Sequence, residues 1–145
     1  MNLRIMLSTL LLALALAGCG APQAAVAPPA TVAEAATIDL ASLPVDIDVN
    51  TAAALRERDD VVIIDVREVS EWNEVRIPGA TLIPMGEVPA RISEIPTDKT
   101  VIVQCRSGNR SNQVTDYLRQ QGMTNVHNLA GGMNAWQAAG LPTER

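Results

Sequence analysis

The chain has 145 residues, 48% of them hydrophobic, 19% charged and none of them Phe, so it has room for one ordinary domain and two are excluded on size. Sixteen Asp plus Glu against eleven Lys plus Arg give a formal net charge of -5, which opposes broad contact with a phosphate backbone and argues against a nucleic-acid partner. With Cys19, Cys105 and His127 as the whole complement of Cys and His, one copy cannot assemble a four-ligand zinc site, and two cysteines do not make a disulfide scaffold.

In chain order, Arg4 is followed by an uncharged run from position 5 to position 17 that ends in Leu16-Ala17-Gly18-Cys19. Residues 1–18 read as a signal peptide. At about 1.5 Å of helical rise per residue, the run falls short of a hydrocarbon core of roughly 30 Å, so a permanent span is the weaker reading. Leu-Ala-Gly-Cys resembles the bacterial lipobox. That resemblance implies cleavage before Cys19, a diacylglycerol thioether on its sulfur, and a lipid-anchored chain in the cell envelope, facing the periplasm or otherwise extracytoplasmic. Gly20 after the cysteine favours, by the same resemblance, the outer membrane. Between positions 20 and 36 stand eight Ala, three Pro and the single charge of Glu34. Prolines break helical register there and no large side chain offsets the entropy of ordering, so residues 19–36 are expected to be a lipidated cysteine and a spacer.

The domain is expected over residues 37–145. Val61-Val62-Ile63-Ile64 and Val101-Ile102-Val103 are β-branched runs suited to strands covered on both faces. Helices are expected at 51–57 after a cap at Asn50, at 68–72, at 86–95, at 111–121 closed by Gly122, and at 133–139 closed by Gly140. Shorter strands around 46–48, 81–83 and 126–127 complete the pattern. Alternation with short connections predicts an α/β domain, a parallel sheet of about five strands with helices on both faces. Ligands in such sheets bind beyond the carboxyl ends of the strands.

The segment at that place is Cys105-Arg106-Ser107-Gly108-Asn109-Arg110-Ser111, between a strand and a helix. A tight loop entering a helix directs successive N–H groups inward, and Gly108 permits a positive φ. Arg106 and Arg110 add two permanent charges, and a thiolate in such a field is favoured over the thiol. A depressed pKa is therefore expected for Cys105. The alternative, a structural cysteine in the core, fits poorly with two arginines within five residues.

Five motifs now stand in order: Ile64-Asp65-Val66-Arg67-Glu68, Glu71-Trp72, Ile77-Pro78-Gly79-Ala80, the loop 105–111, and Leu129-Ala130-Gly131-Gly132 with Trp136 and Gly140-Leu141-Pro142. Together they resemble the single-domain rhodaneses. The resemblance implies a five-stranded parallel sheet flanked by helices, and a sulfurtransferase in which Cys105 carries sulfur as a persulfide. It implies a small anionic donor such as thiosulfate, bound by Arg106, Ser107, Gly108, Asn109, Arg110 and Ser111, and cyanide, a thiol or a protein as acceptor. Asp65 and Arg67 match the Asp-x-Arg element beside the loop; an ion pair or a helix cap explains them equally, and both are supporting residues. No metal and no organic cofactor is expected, and a monomer is expected. The spacing C-x4-R from Cys105 to Arg110 separates the loop from the C-x5-R of phosphatases and arsenate reductases that resemble this fold. A non-enzymatic sulfur carrier or a sulfide-responsive binding module would retain the same loop and stays open. Many rhodaneses have Gly-His where Val75-Arg76 stand here. Trp72, Trp136, Tyr117 and His127 read as packing residues.

Overall fold

The structure, a computed structural model, describes residues 37–145; the expected signal peptide, Cys19 and the spacer lie outside the described residues. Five strands alternate with four helices: β1 (Asp46–Ile47), α1 (Val49–Leu55), β2 (Val61–Asp65), α2 (Val69–Glu74), β3 (Thr81–Leu82), β4 (Thr100–Gln104), α3 (Asn109–Gln120), β5 (Val126–Leu129) and α4 (Gly132–Ala138). All pairings are parallel, in the order β1-β5-β4-β2-β3. This is the expected α/β architecture. The central strand β4 is buried along its whole length, as its continuous Val-Ile-Val run requires.

The period-2 alternation of β2 and β4 divides the core in two. Ile63 and Ile102 point to a layer with Leu55 of α1, Met133 and Trp136 of α4, and Leu129. Ile64, Val66, Val101 and Val103 point to the opposite layer with Val114 and Leu118 of α3, and Cys105 falls on that side. Trp136 has no exposed surface and donates its Nε1 proton to the Pro142 carbonyl at 2.8 Å, so it is a packing residue whose one polar atom is satisfied.

Two expectations are corrected. Residues 86–95 do not form a helix; they form separate 3-10 turns at Met85–Glu87 and Ile92–Glu94. Pro89, in the middle of the segment, lacks the N–H that a continuing helix needs, and its ring crowds the preceding turn. The cap of α1 is Asp48 rather than Asn50: Asp48 Oδ1 accepts from the N–H groups of Asn50 and Thr51 at 2.9 and 3.0 Å, which places Asn50 inside the helix.

Candidate active site

Cys105 follows the last residue of β4, and three residues later the chain turns into α3 at Gly108, whose φ is 92°. A side chain at Gly108 would be strained, and its Cβ would approach the Gly131 amide nitrogen to 3.0 Å. The turn brings the Gly108 N–H to 3.2 Å from Cys105 Sγ and the Ser111 hydroxyl to 3.3 Å. The peptides of the loop are oriented from outside. The carbonyls of Cys105 and Arg106 accept from the N–H groups of Met133 and Asn134, in the first turn of α4, at 2.8 and 2.9 Å. With those oxygens engaged on the far side, the loop amides face the sulfur.

Gly132 makes the arrangement possible. Its φ is 53°, and a Cβ there would overlap the Cys105 carbonyl oxygen and crowd the Arg106 carbonyl carbon. The Ala-Gly-Gly segment after β5 is thus a docking surface for the back of the loop.

Burial pushes the Cys105 thiol pKa up, but hydrogen bonding from Ser111 and from the amides of Ser107 and Gly108 together outweighs it and holds the thiol below its ordinary value of 9.0. The expected depression is present, although its main cause differs from the one expected. Arg110 is already engaged, its guanidinium meeting the Glu71 carboxylate through two bonds of 2.8 Å. Its attraction to the sulfur is a weaker contribution than its bond to Glu71. Arg106 is exposed at the rim, beside a cleft of about 250 Å³ that also involves Arg67, Glu71 and Asn134. Hydrogen bonding at the sulfur therefore does most of what the two arginines were expected to do.

The sulfur is also more enclosed than an open nucleophile would be, since Cys105 has no exposed surface. The Gly108 amide closes on Sγ itself. Ser107 and Asn109 have exposed side chains, and Ser107 reaches the sulfur through its amide.

Asp65 and Arg67 form a buried pair, with side chains 0% and 3% exposed. Arg67 Nη2 is 2.7 Å from Asp65 Oδ2, and the same guanidinium donates to the Val75 carbonyl at 2.7 Å and the Glu71 carbonyl at 3.3 Å. The pair thus ties the end of β2 to the end of α2, and the cap of α2 is made by Glu68 with Glu71 instead. Glu71, placed by this anchor, in turn holds Arg110.

Three contributors were not identified as site residues from sequence: Glu71, Asn128 and Asp46. Asn128 Oδ1 accepts from the Ser111 hydroxyl at 2.6 Å, and its Nδ2 donates to Asp46 at 2.7 Å. Glu71 lay within a quoted motif, whereas nothing in the sequence joins Asp46 to Asn128. Arg76 stacks over Trp72 at 5.2 Å and pairs with Glu144 at 2.8 Å, tying down the C-terminal residues. His127 is buried, with Nδ1 2.7 Å from the Pro44 carbonyl, in a structural setting.

A parallel α/β sheet with a cysteine loop between the central strand and a helix defines a class of domain, and the comparisons agree with it. Residues 48–139 match the Rhodanese-like domain, and the chain belongs to that family. Over 88 residues it is 47% identical to a sulfurtransferase of Allochromatium vinosum, covering 61% of this chain and 82% of that one. It is 30% identical over 93 residues to a thiosulfate sulfurtransferase of Pseudoalteromonas translucida, covering 64% and 89%. The crystal structure of a rhodanese-related protein from Thermoplasma volcanium superposes with a TM-score of 0.61 at 30% identity, covering 68% of this chain and 96% of that one.

Gly132→Ala forces the loop off α4, and a displacement of the reacting sulfur on the ångström scale is expected to slow Cys105 chemistry by about 10²-fold, read as the rate of its alkylation or sulfur loading. Glu71 is held at a pKa of about 2 rather than the ordinary 4.5, chiefly by its hydrogen bonds to Arg110. A lowered carboxylate pKa stabilises the fold above pH 4.5, and that contribution is lost as pH falls toward 2. The difference in Tm between the parent and Glu71→Gln is accordingly expected to be constant above about pH 5 and to shrink between pH 4.5 and 2 in a thermal-melt series.

Proposed function

We propose that this domain transfers sulfane sulfur through a persulfide on Cys105. The observation that carries the reading is the focusing of the Gly108 N–H on Sγ, with the Cys105 and Arg106 carbonyls turned away. That cradle suits a thiolate, and after loading it suits a persulfide anion. In the first half-reaction the thiolate attacks the outer sulfur of thiosulfate; the Sγ–S bond forms, the donor S–S bond breaks, and sulfite leaves with the electron pair. In the second, cyanide or a thiolate attacks the outer sulfur, the Sγ–S bond breaks, and the Cys105 thiolate is regenerated. No net proton is required with cyanide as acceptor.

Within this mechanism the amides of Ser107, Gly108 and Ser111 bind the charge on the transferred sulfur. Arg106, exposed at the rim, meets the sulfonate of the donor, while Arg110 holds the loop to α2 through Glu71. With Cys19 carrying lipid, Cys105 is the remaining thiol of the chain, so the persulfide is discharged by an external acceptor.

Mass spectrometry of the chain after exposure to thiosulfate should show one added sulfur on the tryptic peptide that contains Cys105, and cyanide should remove it as thiocyanate. Cys105→Ser should abolish both. Loading without turnover would instead make the protein a sulfur carrier, and aryl phosphate hydrolysis lost in Cys105→Ser would replace the reading with a phosphatase. The anchor has its own test: radiolabelled fatty acid is expected to label the parent chain in a bacterial envelope and to leave Cys19→Ala unlabelled.

A further inference from the structure

Ser111 has one hydroxyl proton and three acceptors around it: Asn128 Oδ1 at 2.6 Å, the Gly108 carbonyl at 3.1 Å and Cys105 Sγ at 3.3 Å. Asn128 decides among them. Its Nδ2 lies 2.7 Å from Asp46 Oδ1, and an ionised carboxylate only accepts, so the amide nitrogen faces Asp46 and the amide oxygen faces Ser111. An amide oxygen also only accepts. The hydroxyl therefore donates to Asn128 at the shortest of the three distances and presents a lone pair to the sulfur.

That arrangement suits a neutral thiol, whose S–H can donate to Ser111 Oγ. A thiolate takes the Ser111 proton only if the hydroxyl leaves Asn128 Oδ1, and that oxygen sits on a residue 5% exposed and receives no other hydrogen bond among the described residues. Leaving a buried acceptor unpaired is costly. The sheet register enforces the alignment: Asp46 is paired with Asn128 across β1 and β5, and Asn128 with Val103 across β5 and β4, two residues before Cys105.

We infer that Asp46, acting through Asn128, is a positioning residue that holds the Ser111 proton off the Cys105 sulfur and so keeps the resting nucleophile less reactive than its amide cradle alone would make it. The inference rests on Cys105 being the nucleophile of the proposed reaction. The other charged groups around the sulfur are Arg106 and Arg110 on the loop and α3, Glu71 on α2, and the Asp65–Arg67 pair at the end of β2; α4 contributes no charge. None of these touches Asn128. Asp46 is exposed on an edge strand, so its replacement leaves the core intact.

The test is the pH profile of iodoacetamide alkylation in the full chain, read by mass spectrometry on the tryptic peptide that ends at Arg106, for Asp46→Ala and Asp46→Asn with Ser111 and with Ser111→Ala. Alanine releases Asn128, and asparagine at 46 accepts either orientation of it. Both are expected to lower the Cys105 midpoint by about one pH unit, and the lowering should vanish in the Ser111→Ala background. An unchanged or raised midpoint overturns the inference. So does a lowering that survives Ser111→Ala, which would assign it to the lost negative charge alone. Enclosure of the sulfur scales the alkylation rate at every pH and leaves the midpoint in place. Because alkylation proceeds whether or not the chain turns over thiosulfate, a failure of the sulfur-transfer reading is seen separately, in the thiocyanate assay.

Discussion

The site depends on two hydrogen bonds that do not touch the sulfur. The N–H groups of Met133 and Asn134 donate to the carbonyls of Cys105 and Arg106, and a trans peptide whose oxygen is held on one side presents its own N–H, here that of Arg106 or Ser107, on the other. Were those carbonyls free to rotate inward, oxygen atoms would line the ring and a thiolate would be repelled. The anion cradle is thus a property of the contact between the loop and α4, and the contact exists because Gly132 leaves room where a Cβ would overlap the loop backbone.

Charge is arranged around this cradle more than inside it. The buried Asp65–Arg67 pair fixes the end of β2 to α2, α2 presents Glu71, and Glu71 neutralises Arg110 with two bonds. Buried ion pairs are poor sources of net stability because desolvation offsets much of the attraction, but they impose geometry, and here they set where α3 begins relative to α2. With Arg110 committed to Glu71, hydrogen bonding by fixed dipoles accounts for most of the lowered thiol pKa. In the proposed reaction the same dipoles serve a charge that relocates from Sγ to an outer sulfur and back, since amides spread along a loop follow it without a proton transfer.

Much of this was legible in the chain. β-branched runs at 61–64 and 101–103, alternating with helix-length segments, sufficed for a five-stranded parallel sheet because burial on both faces demands continuous apolar character. The loop from Cys105 to Ser111 was legible because its chemistry is contiguous. The segment 86–95 was misread because its apolar spacing is helical while Pro89 interrupts the backbone bonding, and cap position was misassigned by two residues because Asp48 and Asn50 are both good caps. Arg110 belongs to that contiguous loop, but its carboxylate partner Glu71 stands 39 positions earlier in the chain.

What the sequence by itself determined was everything carried by residue type and local order: the class of fold, the strand that leads into the site, the cysteine at the head of the loop, and Gly108 within it. Tertiary structure alone decided which partners those groups have. Asp46, Asn128 and Ser111 are distant in the chain and become neighbours only through the register of β1 on β5 and the packing of α3 against β5. The physical reason is that hydrogen-bond direction depends on the last acceptor in a row, and that acceptor is supplied by whichever strand the sheet places alongside.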